Sequence, residues 1–239
     1  MKRALVTGGS GAIGQAICER LAADGLHVIV HANGRLDSAT ATVERIKAAG
    51  GSAEAIGFDV TDTAASAAAC ERLIEPGPIK VLVNNAGVHD DAVLAGMTAL
   101  QWQRVIDVSL NGFFNVTQPL LLPMIRTRWG RIVNLSSVAG ITGNRGQVNY
   151  AAAKGGLNSA TKALAIEVAS RGITVNAIAP GIIESPMAES AFDAETIKRL
   201  VPRQLAGTPV EVAALCSFLC STEAAYLTGQ IVSLNGGMI

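Results

Sequence analysis

Aromatic residues are scarce in this sequence: phenylalanine, tryptophan and tyrosine make up 4% of 239 residues, and tyrosine occurs only twice. A core with so few rings must rely on close backbone packing, which abundant alanine and 25 glycines supply. Charge imbalance is missing as well. Nineteen basic residues face 19 acidic ones, so there is no basic field to draw nucleic acid or an acidic membrane surface. Long apolar runs are absent too. The longest, around Pro119 to Ile125, is far too short to span a bilayer. No apolar core of signal-peptide length precedes the first strand pattern, so neither a membrane span nor a cleaved leader is expected. Cysteine is sparse, and Cys18, Cys70, Cys216 and Cys220 form no C-x-x-C unit. Buried reduced thiols in the cytoplasm are the expectation. His27, His31 and His89 lack ligand-like companions, and no catalytic metal is expected.

What is present is an alternation. Short Val- and Ile-rich runs at 3–7, 27–31, 53–58, 80–84, 131–136, 173–178 and 230–234 read as strands buried on both faces. Between them, Ala-rich segments at 12–23, 38–49, 63–74, 99–126, 149–169 and 209–220 carry helical period. The pattern predicts an α/β fold: one Rossmann-type, doubly wound parallel sheet of about seven strands with helices on both faces, in a single domain over 1–239. The irregular, proline-containing stretch 180–209 reads as a substrate-side lid.

The first strand runs into "TGGSGAIG", where Gly9, Gly11 and Gly14 match G-x-G-x-x-G at a strand–turn–helix junction. Glycines there permit the turn and let the backbone approach a pyrophosphate, while the helix N-terminus offers amides and partial positive charge. At the end of the second strand, "HANGR" places Asn33 and Arg35 where an acid would bind a ribose 2′-hydroxyl. The missing carboxylate and the added cation favour NADPH over NADH, with a solvated loop cation as the plain alternative for Arg35. Asp59 is expected either at the adenine edge or capping the next helix.

One tyrosine opens "YAAAKGG", so Tyr150 and Lys154 lie four apart on one helix face. An ammonium beside a phenol lowers its pKa and makes it a usable acid–base group near neutrality. Ser137, after the fifth strand, is placed to reach the oxygen that Tyr150 protonates. Together "TGGSGAIG", "NNAG" at 84–87, Asn111, Ser137, Tyr150, Lys154 and "PG" at 180–181 resemble the short-chain dehydrogenase/reductase family over the whole chain. Within it, "GQVNYAAAKGGL" and "YLTGQIVSLNGGM" resemble the 3-oxoacyl-[acyl-carrier-protein] reductases.

The resemblance implies NADPH-dependent reduction of a 3-oxoacyl thioester in fatty-acid, polyene or polyketide synthesis. An acetoacetyl-CoA or other small-carbonyl reductase is the alternative of the same class, and a non-catalytic nucleotide sensor the alternative of another. It implies Tyr150 as general acid, Lys154 as ribose ligand holding the tyrosine pKa down, Ser137 as polariser of the carbonyl, and Asn111 as holder of a water in a proton relay. Cofactor contacts fall on Gly8, Ser10, Gly11, Ile13 and Gly14; on Asn33, Arg35, Asp59 and Val60; on Asn85, Ala86 and Gly87, with Asn84 beside them; and on Pro180, Gly181, Ile183 and Ser185. Arg128 and Arg171 match arginines that dock an acidic acyl carrier protein. A homotetramer using the helices at 99–126 and 149–169 is implied too. The chain departs from the pattern at Gly11, where NADPH-dependent members carry arginine, and at Asp90 and Asp91, which read as a solvated loop.

Overall fold

The computed structural model describes residues 1–185 and 192–239. Its sheet has seven parallel strands: β1 (Arg3–Val6), β2 (His27–Ala32), β3 (Ser52–Gly57), β4 (Ile79–Asn84), β5 (Gly130–Leu135), β6 (Ile173–Pro180) and β7 (Ile231–Leu234). They run in the order β3-β2-β1-β4-β5-β6-β7. Parallel strands need crossovers, and the helices that supply them cover both faces. On one face lie α1 (Ala12–Ala23), α2 (Leu36–Ala48) and α9 (Pro209–Cys220), packed on Ala4, Val6, Val28, Val30, Val81 and Val83. Helices α3 (Thr63–Ile74), α5 (Gly112–Arg126) and α7 (Val148–Val168) cover Leu5, Ile29, Leu82, Ile132 and Val175 on the other. Successive strand residues thus feed opposite cores, which is why the strands read as unbroken apolar runs.

The expected long helix over 99–126 is divided. After α4 (Ala99–Ile106), residues Asp107–Asn111 form a wider π turn before α5 begins. Two helices were not expected: the short α6 (Ala139–Thr142), and α8 (Ala194–Leu200), which Asp193 caps through the Thr196 N–H at 2.7 Å. Residues 186–191 of the expected lid lie outside the described residues. The described cysteines are free and buried, and among the described residues no helix is long and apolar enough to cross a membrane.

A buried amide chain crosses the middle of the sheet. Asn84 and Asn134 sit opposite each other in the β4–β5 register. The Asn84 Nδ2 donates to Asn134 Oδ1 at 2.9 Å and to Thr117 Oγ1 at 3.1 Å, and Asn134 Nδ2 donates to Thr161 Oγ1 at 2.8 Å. Asn84 is therefore a structural residue, and the expectation that it lines a cofactor is corrected.

Candidate active site

Strand order reverses between β1 and β4, and in open parallel sheets ligands settle at the carboxyl ends of the strands beside such a switch point. The phosphate loop lies there, at the carboxyl end of β1. Gly14 approaches the loop so closely that a Cβ on it would stand 2.2 Å from the Gly8 carbonyl oxygen and 2.8 Å from the Gly9 Cα. Helix α1 starts at Gly11 without a side-chain cap and has no acid in its first turn. Its terminal amides are thus left to an anion, the arrangement a pyrophosphate requires. A Cβ at Gly11 would meet only the Gly8 oxygen, at 3.6 Å.

The loop is held from three directions. Asn85 Nδ2 donates to the Thr7 and Gly8 carbonyls at 2.9 and 3.0 Å, while Thr7 Oγ1 accepts from the Asn85 and Ala86 amides, each at 3.0 Å. The Ser10 carbonyl accepts from Gln15 Nε2 at 3.0 Å and Ser38 Oγ at 3.2 Å. His31 Nδ1 accepts the Gly8 N–H at 3.2 Å, and its Nε2 lies 2.9 Å from the Phe58 carbonyl. That pairing requires the neutral tautomer with the proton on Nε2, and burial pulls the His31 pKa down in the same sense. Gln15, His31 and Ser38 were not singled out in the sequence, because a histidine inside a strand gives no periodicity signal for a hydrogen bond to a distant loop.

Along the rest of the expected cofactor path, Ile13 packs against the apolar core, and Val60 is buried with its carbonyl accepting from Asn115 Nδ2 at 2.8 Å. Asn33 and Arg35 are exposed after β2. Asp59 is held below the usual carboxylate range by the Thr61 N–H, with the Thr61 hydroxyl and the Asn33 amide adding to it. Helix α3 is capped by Asp62, through the Ala65 N–H at 2.9 Å, so of the two roles expected of Asp59 the helix cap is excluded. Pro180 ends β6, its carbonyl accepting from the Val138 N–H at 2.9 Å. Gly181 N donates to the Leu234 carbonyl at 2.9 Å, and Ile183 is bridged to Gly207. Ser185 closes the described part of this segment, half-buried.

Ser137, Tyr150 and Lys154 come together at the ends of β4 and β5. Ser137 follows β5 and stands beside Tyr150, close enough to draw the phenol pKa down. Tyr150 stands one turn before Lys154 on α7, with Lys154 Nζ 5.6 Å from the ring centre. Lys154 is 3% exposed, donates to the Leu135 carbonyl at 2.7 Å, and is lowered by burial to a pKa of about 8. The phenol departs from expectation. Its pKa is raised, first by burial, while Ser137 pulls it down and the Asp91 charge pushes it up. A phenol in this setting is fully protonated at neutral pH and is poised to donate.

Asp90 is half-buried and anchored, which corrects its reading as a solvated position, while Asp91 is exposed as expected. Asp90 accepts from Gln101 Nε2 at 2.9 Å and pairs with Arg104 at 3.3 Å. Asp91 accepts from Gln147 Nε2 at 2.8 Å and faces His89 at 3.4 Å. Buried Asn149 fixes the whole loop: its Nδ2 donates to the Asp90 and Gln101 carbonyls at 2.9 and 3.1 Å, and its Oδ1 accepts the Tyr150 N–H at 2.8 Å.

Two expectations fall elsewhere. Asn111 is exposed at the end of the π turn and donates to Asp107 Oδ1 at 2.7 Å, whereas Ser109 of the same turn is buried beside Gly87 and Lys154. The extra residue in the turn rotates Asn111 outward and Ser109 inward. Arg128 and Arg171 do converge, with Arg128 Nη2 donating to the Ser170 carbonyl at 3.0 Å. They precede β5 and β6, however, and so lie at the sheet edge opposite Ser137 and Tyr150.

The short chain dehydrogenase family model matches residues 2–196. A 3-oxoacyl-[acyl-carrier-protein] reductase of Staphylococcus aureus (strain Mu50) is 44% identical over 240 residues, 99% of this chain and 98% of that protein. One from Aggregatibacter actinomycetemcomitans is 41% identical over 236 residues, covering 98% of both chains. An acetoacetyl-CoA reductase of Cupriavidus necator is 41% identical over 238 residues, 98% of this chain and 97% of that protein. With a family match over most of its length and full-length relatives at this identity, the chain belongs to the short chain dehydrogenase family.

Proposed function

We propose that this protein reduces a 3-oxoacyl thioester, carried on acyl carrier protein, to the 3-hydroxyacyl thioester with NADPH. The observation that carries the reading is the meeting of Ser137, Tyr150 and Lys154 beside an uncapped phosphate loop. The family implies a nicotinamide cofactor, and the loop fits it: α1 presents free amides, and Gly14 keeps the turn tight. When bound, that group supplies the hydride. Gly8, Ser10, Gly11, Ile13 and Gly14 would hold its pyrophosphate, Lys154 its ribose, and Pro180 to Ser185 its nicotinamide side. Arg35, exposed with no acid between it and β2, supports the 2′-phosphorylated form.

The chain's own part is proton supply and orientation. Ser137 donates to the carbonyl oxygen and polarises it. Tyr150, kept protonated, gives its proton to that oxygen as the carbon is reduced. Lys154 stabilises the phenolate that remains. The printed names of the Staphylococcus and Aggregatibacter relatives support the carrier-bound substrate, and the Cupriavidus relative supports a CoA thioester as the second reading. Exposed Phe114 and Leu122 on α5 and Ile166 on α7 support assembly of several copies through these helices, with each chain acting as one cofactor-binding and catalytic domain. Free buried thiols support a reducing compartment such as the cytoplasm.

The test is a panel of carrier-bound and CoA thioesters of 3-oxo acids, run with NADPH and NADH on the parent and on Tyr150→Phe. Carrier-bound substrates with NADPH are expected to give the highest kcat/KM, and Tyr150→Phe to lower it about 10²–10⁴-fold, the usual worth of a general acid. Retained activity in Tyr150→Phe, or a preference for CoA thioesters, overturns the corresponding part.

A further inference from the structure

Two consecutive amides of the phosphate loop end on one residue. The Gly8 N–H donates to His31 Nδ1 at 3.2 Å, and the Gly9 N–H donates to the His31 carbonyl at 2.8 Å. Gly8 is the hub of the loop. It stands at φ +63°, and its carbonyl accepts from Asn85 Nδ2 at 3.0 Å and from the Gly11 N–H at 3.1 Å.

The ring has no freedom to answer a change of charge by turning. It is 1% exposed, lies against the Phe58 ring with centroids 4.1 Å apart, and donates from Nε2 to the Phe58 carbonyl at 2.9 Å. A second proton would have to settle on Nδ1, directly against the Gly8 N–H. Two donors would then face each other, and the amide at the hub of the loop would lose its acceptor. The charge around the ring does not relieve this. Asp59, after β3, is the charged group among the described residues whose field reaches the ring and favours the cation; burial opposes it more strongly and keeps the ring pKa below its ordinary value. The Thr61 N–H and hydroxyl hold that carboxylate in its charged form. Residues 4–11 carry no charged side chain, and α1 has no acid in its first turn.

We infer that His31 couples cofactor binding to protonation: the neutral ring holds the loop in the shape that accepts a pyrophosphate, and the imidazolium releases Gly8 and weakens binding. The inference rests on the reading of this loop as the dinucleotide site. His31 is a positioning residue, acting through the Gly8 and Gly9 amides. Charge alone argues the other way, because an anion near the loop would favour the imidazolium. The sign of the effect therefore separates hydrogen bonding from simple attraction. Coupling is reciprocal, so a ligand that needs the neutral ring lowers its proton affinity by the same factor and drives a proton off as it binds.

ADP-ribose is the probe, because its pyrophosphate keeps one charge over the range tested, whereas the 2′-phosphate of NADPH itself takes up a proton at about pH 6. Calorimetric titration of the parent at pH 7.5 and pH 5.5 should show a weaker Kd at the lower pH, with a limit of about tenfold per pH unit. Protons should be released on binding, seen as a heat that depends on the buffer. His31→Asn sets an amide oxygen near the place of Nδ1, an acceptor that takes no proton, so its Kd should be alike at both pH values and its proton release lost. The same pH dependence in parent and variant, or tighter parental binding at pH 5.5, overturns the coupling. A second measurement needs neither ligand nor variant. In NMR spectra of the free parent, the Gly8 amide should lose its protection against solvent exchange in step with the titration of the His31 ring. A Gly8 amide that stays protected while the ring takes up its proton overturns the coupling as well. If ADP-ribose binds the parent at neither pH, the reading of the loop as a dinucleotide site fails by itself, and the Gly8 amide still decides whether the ring holds the loop.

Discussion

The phosphate loop and the catalytic centre share one edge of the sheet, yet they are built on opposite terms. In the loop, backbone and side-chain groups are tied to one another: Asn85 to Gly8, Gln15 and Ser38 to Ser10, His31 to Gly8. Beyond the ends of β4 and β5, Lys154 is buried with its pKa drawn to about 8, the Tyr150 phenol is pushed above its ordinary value, and the Ser109 hydroxyl has no partner among the described residues. On the proposed reading, the loop has to hold one shape for a ligand whose charge does not change, whereas Tyr150 changes protonation in every cycle. The loop is thus the more densely cross-bonded of the two, and the displacements of pKa among the reacting groups lie with Tyr150 and Lys154.

Three experiments can break or sharpen that contrast. The largest effect is expected in the loop. Gly14→Ala drives a methyl to 2.2 Å from the Gly8 carbonyl, and backbone on both sides leaves no room to yield. Destabilisation of about 3 kcal/mol, at the upper end of overpacking, should appear in urea unfolding together with loss of cofactor binding. Gly11→Ala, whose methyl meets one atom at 3.6 Å, should stay within about 0.5 kcal/mol of the parent. If the two variants behave alike, the loop is not the rigid half.

Next comes the catalytic half. In the proposed reduction Lys154 works in its ammonium form, so kcat/KM should fall above about pH 8, the lowered value that burial gives this lysine, approaching tenfold per pH unit. Stability should move the other way. The unfolded lysine keeps its ordinary pKa of 10.5 and binds more protons than the folded one between about 8 and 10.5, so this group makes the fold more stable as pH rises through that window. A profile flat to pH 10 would contradict the placement of Lys154.

The smallest effect belongs to His31. Its folded pKa lies below the ordinary 6.5 because burial disfavours the cation. The unfolded chain therefore binds the extra proton first, and stability should drop as pH falls through 6.5 toward the folded value. His31→Gln, measured by thermal unfolding at pH 7.5 and pH 5.5, should lose part of that slope. An unchanged slope would place the acid sensitivity elsewhere.

Much of this was legible in the sequence. Strands buried on both faces advertise themselves as Val and Ile runs, and β1 to β7 fall within two residues of the expected ranges. Tyr150 and Lys154 were legible because a four-residue spacing on a helix needs no tertiary knowledge. Asn111 and Ser109 were not told apart, since the π turn inserts a residue and shifts the helical phase between them. A serine inside the apolar run "RVIDVSLNGFF" was the available signal. Residues that position others, such as Asn149 and His31, gave none, because their partners lie far off in the chain.

The buried amide chain from Asn84 through Asn134 to Thr161 acts as a proofreading device for alignment. Sliding β5 by one residue against β4 would set Val133 or Leu135 opposite Asn84 in place of its partner, leaving amides stranded at about 1–3 kcal/mol each. Gly87 lies three residues beyond Asn84, Ser137 three beyond Asn134, and Thr161 shares α7 with Lys154. One interior chain of amides thus ties together the segments that carry Gly87, Ser137 and Lys154, so a slipped strand pairing that would displace them costs the stranded amides their partners.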